Sequence, residues 1–459
     1  MAGFRASWGM NGKAPDADYL FYNTYSTAAG YYGPNGNNVV VAKSSGMKLD
    51  NLKWETTIST NLGFNLGFFD DLLNVDFDYY HKDTKDLLQG SVKIPTTTGY
   101  PSVSYANVGR MQNDGWELTI GGRNVIKKGK FSMSVNFNVA QNYNEIKEMD
   151  QRVLDAVNKE WAATSRGAYL NRIQVGNTLG SIYGFRFKGV FNYSYDWLQN
   201  KRKENGWTPN EYEAQINNWL AEGKTFPVAV GADGKVMMNS SGEPMHLVYN
   251  YNAGTQTYSF QGGDAIYEDI NHDGQLNALD IVYLGNSLPK VNGGFSFTFN
   301  YGQWSLKTRF NYRFGNKIVN GARMSLEEMF NSYNQCSTVN YRWRKDGDGW
   351  DAATAEQTPV LPRALYNMAY NFQGSDRYVE SGSFVRFQNL QISYSVPKKK
   401  LKKIGLNTLR TYASINNLFI WTKYSGIDPE VGTGGWGVAT DNSKTPRSKS
   451  FTCSIEIGF

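Results

Sequence analysis

The chain has 459 residues, of which 40% are hydrophobic and 15% aromatic, and its formal net charge is +6. It contains only three histidines and two cysteines, which argues against a zinc centre built on several histidines and against a disulfide framework. Its basic residues are scattered, so the charge does not predict the continuous basic face that nucleic-acid binding requires.

Strict alternation of apolar and polar residues predicts β-strands along most of the chain. In FSMSVNFNV (131–139), for example, every second side chain is apolar and those between are polar. Ten strands of this kind are predicted, at 3–11, 53–68, 72–88, 113–126, 130–148, 293–301, 304–318, 384–396, 408–422 and 448–459.

The connections between these strands alternate between short and long. The long ones are 12–52, 89–112, 149–292, 319–383 and 423–448. All short connections therefore lie at one end, which is typical of an antiparallel transmembrane β-barrel with short periplasmic turns and long extracellular loops. The stretch GSIYGFRFKGVF (180–191) also resembles a strand. Counting it as spanning would break the alternation, so we assign it to the long extracellular segment 149–292.

Aromatic residues occur where the two interfaces of a membrane would meet the barrel. Outer strand ends carry Trp54, Trp116, Trp421 and Tyr424, and inner ends carry Phe68, Phe69, Trp304 and Phe459. The final segment FTCSIEIGF alternates in the same way, so its apolar side chains would face lipid. The alternative is the edge strand of a soluble β-sandwich, because alternation alone does not separate the two folds.

Two negative signals conflict with a membrane location. No stretch approaches 18 consecutive apolar residues, and the first twenty residues lack the basic start and apolar run of a signal peptide. Taken alone, these signals would favour the cytoplasm.

Six segments carry a family resemblance that resolves this conflict. They are FRASWGMNG (4–12), LKWETTISTNLGFNLGFFDDLLNVDFDYYHKDTKDLL (52–88), NVGRMQNDGWEL (107–118), YEDINHDGQLNALDIVYLGNSLPKVNGGFSFTFNY (267–301), SFVRFQNLQISYSVP (383–397) and INNLFIWTKYSGIDPEVG (415–432). Through them the chain resembles the C-terminal half of SusC-like (SusC/RagA) TonB-dependent outer-membrane transporters of Bacteroidetes.

The resemblance implies that the ten strands are the last of a 22-stranded barrel with a plugged lumen. We expect the signal peptide, the TonB-contacting segment, the plug and the first strands to be absent from this chain. The resemblance also implies that Phe459 is an aromatic C-terminal signal read by the outer-membrane assembly machinery. The expected partners are a SusD-like surface lipoprotein at the long loops, the TonB complex through the absent N-terminal region, and outer-membrane lipid.

The sharpest local motif is DINHDGQLNALD (269–280). Its oxygen-bearing side chains occupy the ligand positions of a calcium-type loop, with Gly274 at the sharp turn. The possible calcium ligands are Asp269, Asn271, Asp273, Gln275 and Asp280. The alternative is a turn whose side chains bond to its own backbone. No other cofactor is predicted.

Other polar and aromatic residues have weaker assignments. Tyr424, Gly426, Asp428, Pro429 and Glu430 could contact substrate or only form a turn, and Trp197, Trp207, Trp219, Trp343, Trp350 and Trp436 could stack on sugars or only pack. The residues Lys307, Arg309, Arg313, Asp76 and Asp78 are predicted to line the lumen or contact the plug.

The sequence therefore predicts part of an outer-membrane importer of glycans or oligopeptides, energised through TonB. A passive pore, or a truncated fragment without function, is the first alternative, and a secreted carbohydrate-binding β-protein is the second. No nucleophile motif, phosphate loop or cysteine metal cluster is apparent, so an enzyme is not expected.

Overall fold

The computed structural model describes residues 2–22, 25–32, 38–44, 47–98, 102–158, 173–250, 257–401, 405–433 and 437–459. Ten strands form one antiparallel sheet, in which each strand pairs with its neighbours in chain order. They are β1 (Ala2–Lys13), β2 (Glu55–Phe68), β3 (Leu73–Lys85), β4 (Gly109–Lys128), β5 (Phe131–Met149), β6 (Val291–Tyr301), β7 (Trp304–Phe314), β8 (Phe384–Ser395), β9 (Thr408–Thr422) and β10 (Ser450–Gly458). Within the described residues, β1 and β10 form the two edges of this sheet.

These strands lie where the alternation predicts them, with differences only at their ends. β4 begins at Gly109 rather than at 113. β7 ends at Phe314 rather than at 318, because Lys317–Val319 pairs instead with Val379–Ser381. The total of 22 strands in a closed barrel stays a prediction.

The short connections of the sheet are 69–72, 129–130, 302–303 and 396–407. Gly129 and Gly302 each open a two-residue turn at φ values of 59° and 61°. A type II′ hairpin turn requires a positive φ at this position, and its twist matches that of the flanking strands. The long connections all lie at the opposite end, hereafter the long-loop end, and the other is the short-turn end.

One face of the sheet, the apolar face, is hydrophobic across all ten strands. The register aligns Phe295, Phe310, Phe387 and Phe419 in one row, with successive ring centroids 4.6, 4.4 and 5.5 Å apart. The buried apolar clusters among the described residues are built mainly from the long connections instead. The long connections therefore do not cover the apolar face, which is left free as a lipid-facing surface must be.

The polar face lies on the other side of the sheet. Arg5 of β1 reaches across β2 and donates to both carboxylate oxygens of Asp78 on β3, at 2.8 and 2.9 Å. The intervening residue of β2 is Gly63, and a Cβ there would collide with the carboxylate. The residues predicted to line the lumen all lie on this face: Asp76, Asp78, Lys307, Arg309 and Arg313.

The long connections contain short elements outside the sheet. The helices are α1 (Gln151–Val157), α2 (Tyr195–Asn205), α3 (Pro209–Ala221) and α4 (Gly321–Glu327), and α5 (Lys398–Leu401) lies at the short-turn end. Short 3₁₀ turns occupy Thr96–Thr98, Ala278–Asp280, Ser337–Tyr341, Tyr370–Phe372 and Asp376–Tyr378. Among the residues described, no helix is both long enough and apolar enough to cross a membrane.

Short strand pairs complete these connections. They are Tyr25–Tyr32 with Asn38–Ser44, Leu88–Lys93 with Ser102–Asn107, Ser181–Gly184 with Val282–Asn286, Phe187–Val190 with Ala265–Tyr267, Val248–Tyr249 with Tyr258–Ser259 and Gln275–Leu276, Lys317–Val319 with Val379–Ser381, and Trp350–Asp351 with Glu356–Gln357. The segment 180–191 thus forms two short strands outside the main sheet.

Helices α2 and α3 start and stop at sequence signals for helix ends. Ser194 caps α2 by accepting a hydrogen bond from the backbone N–H of Trp197, and Gly206 ends it at φ 67°. Thr208 and Glu211 form a capping box at the start of α3, with Pro209 in the first turn. The two helices follow one another within the longest connection, and they share one apolar cluster that contains Leu198 of α2 and Tyr212 and Ile216 of α3.

Candidate functional site

The calcium-type turn 269–280 lies at the long-loop end, and its carboxylates bond mainly to their own backbone. Asp269 accepts hydrogen bonds from the backbone N–H groups of Gly274 at 2.8 Å and Asp273 at 3.3 Å. Asp280 accepts from Ile270 at 2.8 Å and from Asn277 at 2.9 Å. Such bonds are those of the self-bonded turn that was the alternative interpretation.

The remaining predicted ligands belong to the same hydrogen-bond network. Asn271 donates to Asp273 at 2.9 Å, and Gln275 accepts from Asn250 at 2.8 Å. Among the described residues, no three His, Cys, Asp or Glu side chains are grouped so that they could hold a metal ion. Calcium binding by Asp269, Asn271, Asp273, Gln275 and Asp280 therefore stays a prediction.

Asp280 is fully buried, which makes its charge costly. Burial raises the pKa of Asp280 above its usual range, and the negative charges of Asp269 and Asp273 raise it further, against the two backbone N–H bonds that lower it. A cation near this turn would offset the repulsion among the three carboxylates.

Three long connections, 150–290, 315–383 and 423–449, pack together at the long-loop end, and we call them the outer-loop assembly. A buried polar contact joins the first two connections. Asp264 is fully buried and lies 2.7 Å from the Arg363 guanidinium, while the Tyr258 hydroxyl donates to it at 2.6 Å. Asn371 donates to Asp264 and to the carbonyl of Arg363. The buried charge is thus paired and hydrogen-bonded, as stability requires.

The third connection joins the second through Glu380. This carboxylate accepts from the backbone N–H of Ser425 at 2.8 Å and from the Asn320 amide at 3.1 Å, and Arg323 lies 3.3 Å away. Burial would raise the pKa of Glu380, but these donors lower it below its usual range. The outer-loop assembly is therefore held by ionised contacts as well as by its apolar clusters.

The cluster at 424–430 fixes the last connection rather than forming an open pocket. Asp428 accepts from Arg386 of β8 at 2.7 Å, and the Nε of Arg386 lies 2.9 Å from Glu430 in an ion pair whose alignment is too poor for a hydrogen bond. Tyr424 is buried and donates to Asp441 at 2.7 Å. The prediction that Tyr424 belongs to an aromatic girdle is therefore wrong, because its ring packs inside the assembly.

A cavity of about 540 Å³, the outer cleft, opens within the assembly between 187–190, 357–360, Arg323 and Arg377. The guanidinium of Arg377 lies 4.7 Å from the ring centroid of Phe187, and Arg377 also contacts Glu327 at 3.3 Å. Its Nε is buried and makes no hydrogen bond with a described residue. Aromatic, cationic and amide groups side by side could contact the hydroxyls of a sugar or the polar groups of a peptide.

A second cavity of about 450 Å³ lies on the polar face of β5 to β8. Amide and guanidinium groups dominate its wall: Asn136, Asn138, Arg309, Asn311 and Gln388. The buried Oδ1 of Asn311 has no hydrogen-bond partner among the described residues. This wall offers hydrogen bonds to whatever occupies the space beside the polar face.

The predicted stacking tryptophans are mostly structural. Trp197, Trp207 and Trp219 pack around Phe226 in one apolar cluster, and the Trp343 indole donates to the backbone of Asn192. Trp350 lies 5.8 Å from Lys224, and Trp436 lies outside the described residues. Phe459 follows β10 at the short-turn end with 88% of its surface exposed, and its role as an assembly signal stays a prediction.

Sequence reasoning missed the Asp264–Arg363 contact and the outer cleft. The two residues of the contact are 99 positions apart, and neither lies in a recognisable motif. The only signal in the sequence is the acidic and basic content of the long connections, which does not identify partners.

Comparisons with known proteins agree with this architecture. The TonB-dependent receptor P39 of Formosa agariphila is 29% identical over 99% of this chain and 40% of its own length. The TonB-dependent receptor SusC of Bacteroides thetaiotaomicron is 24% identical over 99% of this chain and 37% of its own length. The chain thus spans about two fifths of the length of these curated relatives.

Solved structures show the same fold. The RagAB peptide transporter superposes over all of this chain and 41% of its own, with a TM-score of 0.65 at 20% identity. The RagAB peptide importer in its open-open state superposes with a TM-score of 0.67 at 19% identity, over all of this chain and 40% of its own chain. The family model described as "TonB dependent receptor-like, beta-barrel" matches residues 3–236, which is more than half of the chain. The chain therefore belongs to the TonB-dependent receptor-like β-barrel family of the cell outer membrane.

Proposed function

We propose that this chain forms part of the barrel of an outer-membrane importer that takes up glycans or oligopeptides. The observation that carries the proposal is the division of one ten-stranded sheet into a continuous apolar face and a continuous polar face, with every long connection at one end. Such a sheet has a lipid-facing side, a side for aqueous passage, and one end built to meet extracellular ligands.

The outer cleft and the polar-face cavity support an import role over a passive pore. Both are lined by hydrogen-bonding groups, and the outer-loop assembly is held by buried ion pairs rather than left as open loops. The exposed apolar face argues against a secreted soluble carbohydrate-binding protein, because such a protein would leave this surface in water.

We propose two partners for the whole protein. A SusD-like surface lipoprotein would cover the outer-loop assembly, and the TonB complex would supply energy through a part of the whole protein outside this chain. Support for both comes from the SusC-like family resemblance. Tyr366, 75% exposed in the connection 315–383, is a suitable position for a photo-crosslinker.

The transport proposal is tested by deleting the gene and comparing growth on glycan pools and on peptide pools. Loss of growth on one pool, restored by the gene, identifies the substrate class. Unchanged growth and uptake on both pools would contradict import. For the lipoprotein, crosslinking from Tyr366 is compared with crosslinking from Gln303 at the short-turn end, and capture only from Gln303 would contradict the proposed arrangement.

A further inference from the structure

The short-turn end of the sheet is basic along its β4 to β9 side. Five lysines there, the inner lysine rim, are exposed and make no ion pair with any described residue: Lys128, Lys130, Lys398, Lys399 and Lys400. The acidic residues Asp70 and Asp71 of this end belong to the β2–β3 turn, beyond β3 from the rim. The rim therefore carries uncompensated positive charge.

An aromatic row lies directly beside this rim on the apolar face. The register places Lys128 opposite Phe131, and continues the row through Tyr301 and Trp304 to Tyr394. The rings of Trp304 and Tyr394 are 4.9 Å apart, and Trp304 is half exposed. Aromatic rings with polar tips settle at the level of lipid headgroups, where such girdles end the hydrocarbon zone.

We propose that the inner lysine rim binds the phosphate headgroups of anionic phospholipids in the leaflet that faces the short turns. The aromatic row fixes the depth of the sheet, and Lys128 lies at the end of that row. The lysine ammonium groups therefore reach the plane of the phosphates, and a Lys ammonium is a strongly hydrated point charge suited to that ligand. The inference rests on the outer-membrane location and not on the proposed import.

The positive charge of the inner lysine rim would also attract a soluble acidic protein. The apolar aromatic row favours lipid, because a soluble partner would have to cover exposed rings that already lie at a membrane interface. Each lysine near an anionic surface contributes roughly a fivefold preference for anionic over neutral lipid. Removing five should therefore abolish a measurable preference for anionic lipid.

The test uses the whole protein that contains this chain, purified folded and exchanged into nanodiscs. One preparation holds phosphatidylcholine alone and the other adds phosphatidylglycerol, and native mass spectrometry counts the lipids that stay bound. The test variant carries Lys→Gln at all five rim positions. The matched control carries Lys→Gln at five exposed lysines of the long-loop end: Lys53, Lys235, Lys345, Lys444 and Lys449.

We expect wild-type protein and the control to retain phosphatidylglycerol over phosphatidylcholine, and the rim variant to lose this enrichment by about tenfold or more. If the rim variant fails to fold, K128Q is compared with K127Q, since Lys127 pairs with Ser132 and lies on the opposite face. Equal lipid retention by K128Q and K127Q, or no lipid preference in the wild type, would overturn the proposal. So would binding of soluble polyglutamate to the rim without any preference for anionic lipid.

Discussion

The guanidinium of Arg386 on β8 lies 2.7 Å from the carboxylate of Asp428 and ties the last long connection to the wall of the sheet. Their side chains are only 6% and 15% exposed, so both charges depend on each other for solvation. Glu430 joins the pair from the same connection, and Arg447 lies 2.8 Å from Glu430 on its outer side.

Replacing Arg386 with methionine should release this connection. Asp428 would be left partly buried without its cation, at a cost of about 3 kcal/mol. This is the low end for a broken buried pair, because the backbone N–H groups of Glu430 and Arg447 still donate to Asp428. We expect faster amide hydrogen exchange at 423–433 with little change in the sheet. The matched control is Arg313→Met on β7, whose guanidinium contacts the Phe384 ring at 6.0 Å. Equal exchange rates at 423–433 in both variants would contradict the role of Arg386 in holding this connection.

Acid should loosen the same connection while leaving the calcium-type turn intact. Burial would raise the pKa of Asp428, but the backbone N–H of Glu430 and the Arg386 guanidinium lower it below its usual range. A carboxyl group of this kind stabilises the fold fully above its unfolded pKa, and the contribution is lost as the pH falls below about 4 through the folded value. The pH dependence expected from Asp280 has the opposite sign. Its pKa is raised in the fold, so its contribution to stability is lost as the pH rises.

The measurement is hydrogen exchange of 423–433 and 269–280 at matched intrinsic rates from neutral pH down to acid. We expect exchange in 423–433 to accelerate below about pH 4 and exchange in 269–280 to stay slow. Simultaneous opening of both segments would indicate general acid unfolding instead.

Calcium should stabilise the outer-loop assembly if the turn 269–280 holds it. A ligand at a hundred times its dissociation constant adds about 2.7 kcal/mol to the folded state. We expect Ca²⁺ to raise the melting temperature, EDTA to reverse the rise, and Asp273→Asn to remove the response. Asp233→Asn is the control, since Asp233 is exposed in a neighbouring turn and accepts a hydrogen bond from the backbone N–H of Lys235. Identical melting in Ca²⁺ and EDTA would leave the motif as a turn closed by its own hydrogen bonds.

The strands were predictable because one physical constraint acts on all of them. A single sheet with one apolar and one polar face must alternate wherever its pairing is regular, and this constraint assigns residues such as Phe295 and Phe419 to the apolar face. The alternation is interrupted only at β-bulges, as between Phe387 and Asn389 of β8. The alternating strands also gave the lengths of the connections, and these lengths identified the short-turn end. The difference between short and long connections is unaffected by errors of a few residues at strand ends.

The contacts of the outer loops were not predictable in this way. Asp264 and Arg363, or Arg386 and Asp428, meet through tertiary packing, and no periodicity relates positions so far apart in the chain. Tyr424 was misplaced for the same reason, because an aromatic residue just beyond a strand suits both a girdle and a buried packing position. The Asp/Asn-rich turn 269–280 was identified from the sequence. Its side chains, however, suit both calcium binding and hydrogen bonds to the backbone of the turn itself.

Charges introduced on the apolar face should be costly, whereas changes on the polar face should not. Ile455 is 68% exposed on the apolar face of β10, and Glu456 pairs with Arg410 in register on the polar side. Ile455→Lys should cost about 2–4 kcal/mol if the residue lies near the bilayer midplane, and less towards an interface. Glu456→Gln should be nearly neutral. Unfolding titrations in lipid vesicles measure both, and comparable losses would contradict the assigned faces.

Deleting Phe459 should impair assembly out of proportion to the apolar area that is lost. The residue is 88% exposed and follows β10, whose last paired residue is Gly458. On packing grounds alone its removal should be nearly neutral, because termini contribute few contacts. Phe451→Ala is the matched control, since Phe451 is 68% exposed in the same strand and removes a similar apolar side chain away from the terminus.

The measurement is the fraction of heat-modifiable, folded protein in isolated outer membranes, for the whole protein that contains this chain. If assembly machinery reads Phe459, its deletion lowers this fraction well below that of Phe451→Ala, while the protein that does fold melts normally. If the two variants reach the same folded fraction, the terminal phenylalanine acts only through its contacts with lipid and the assembly role is refuted.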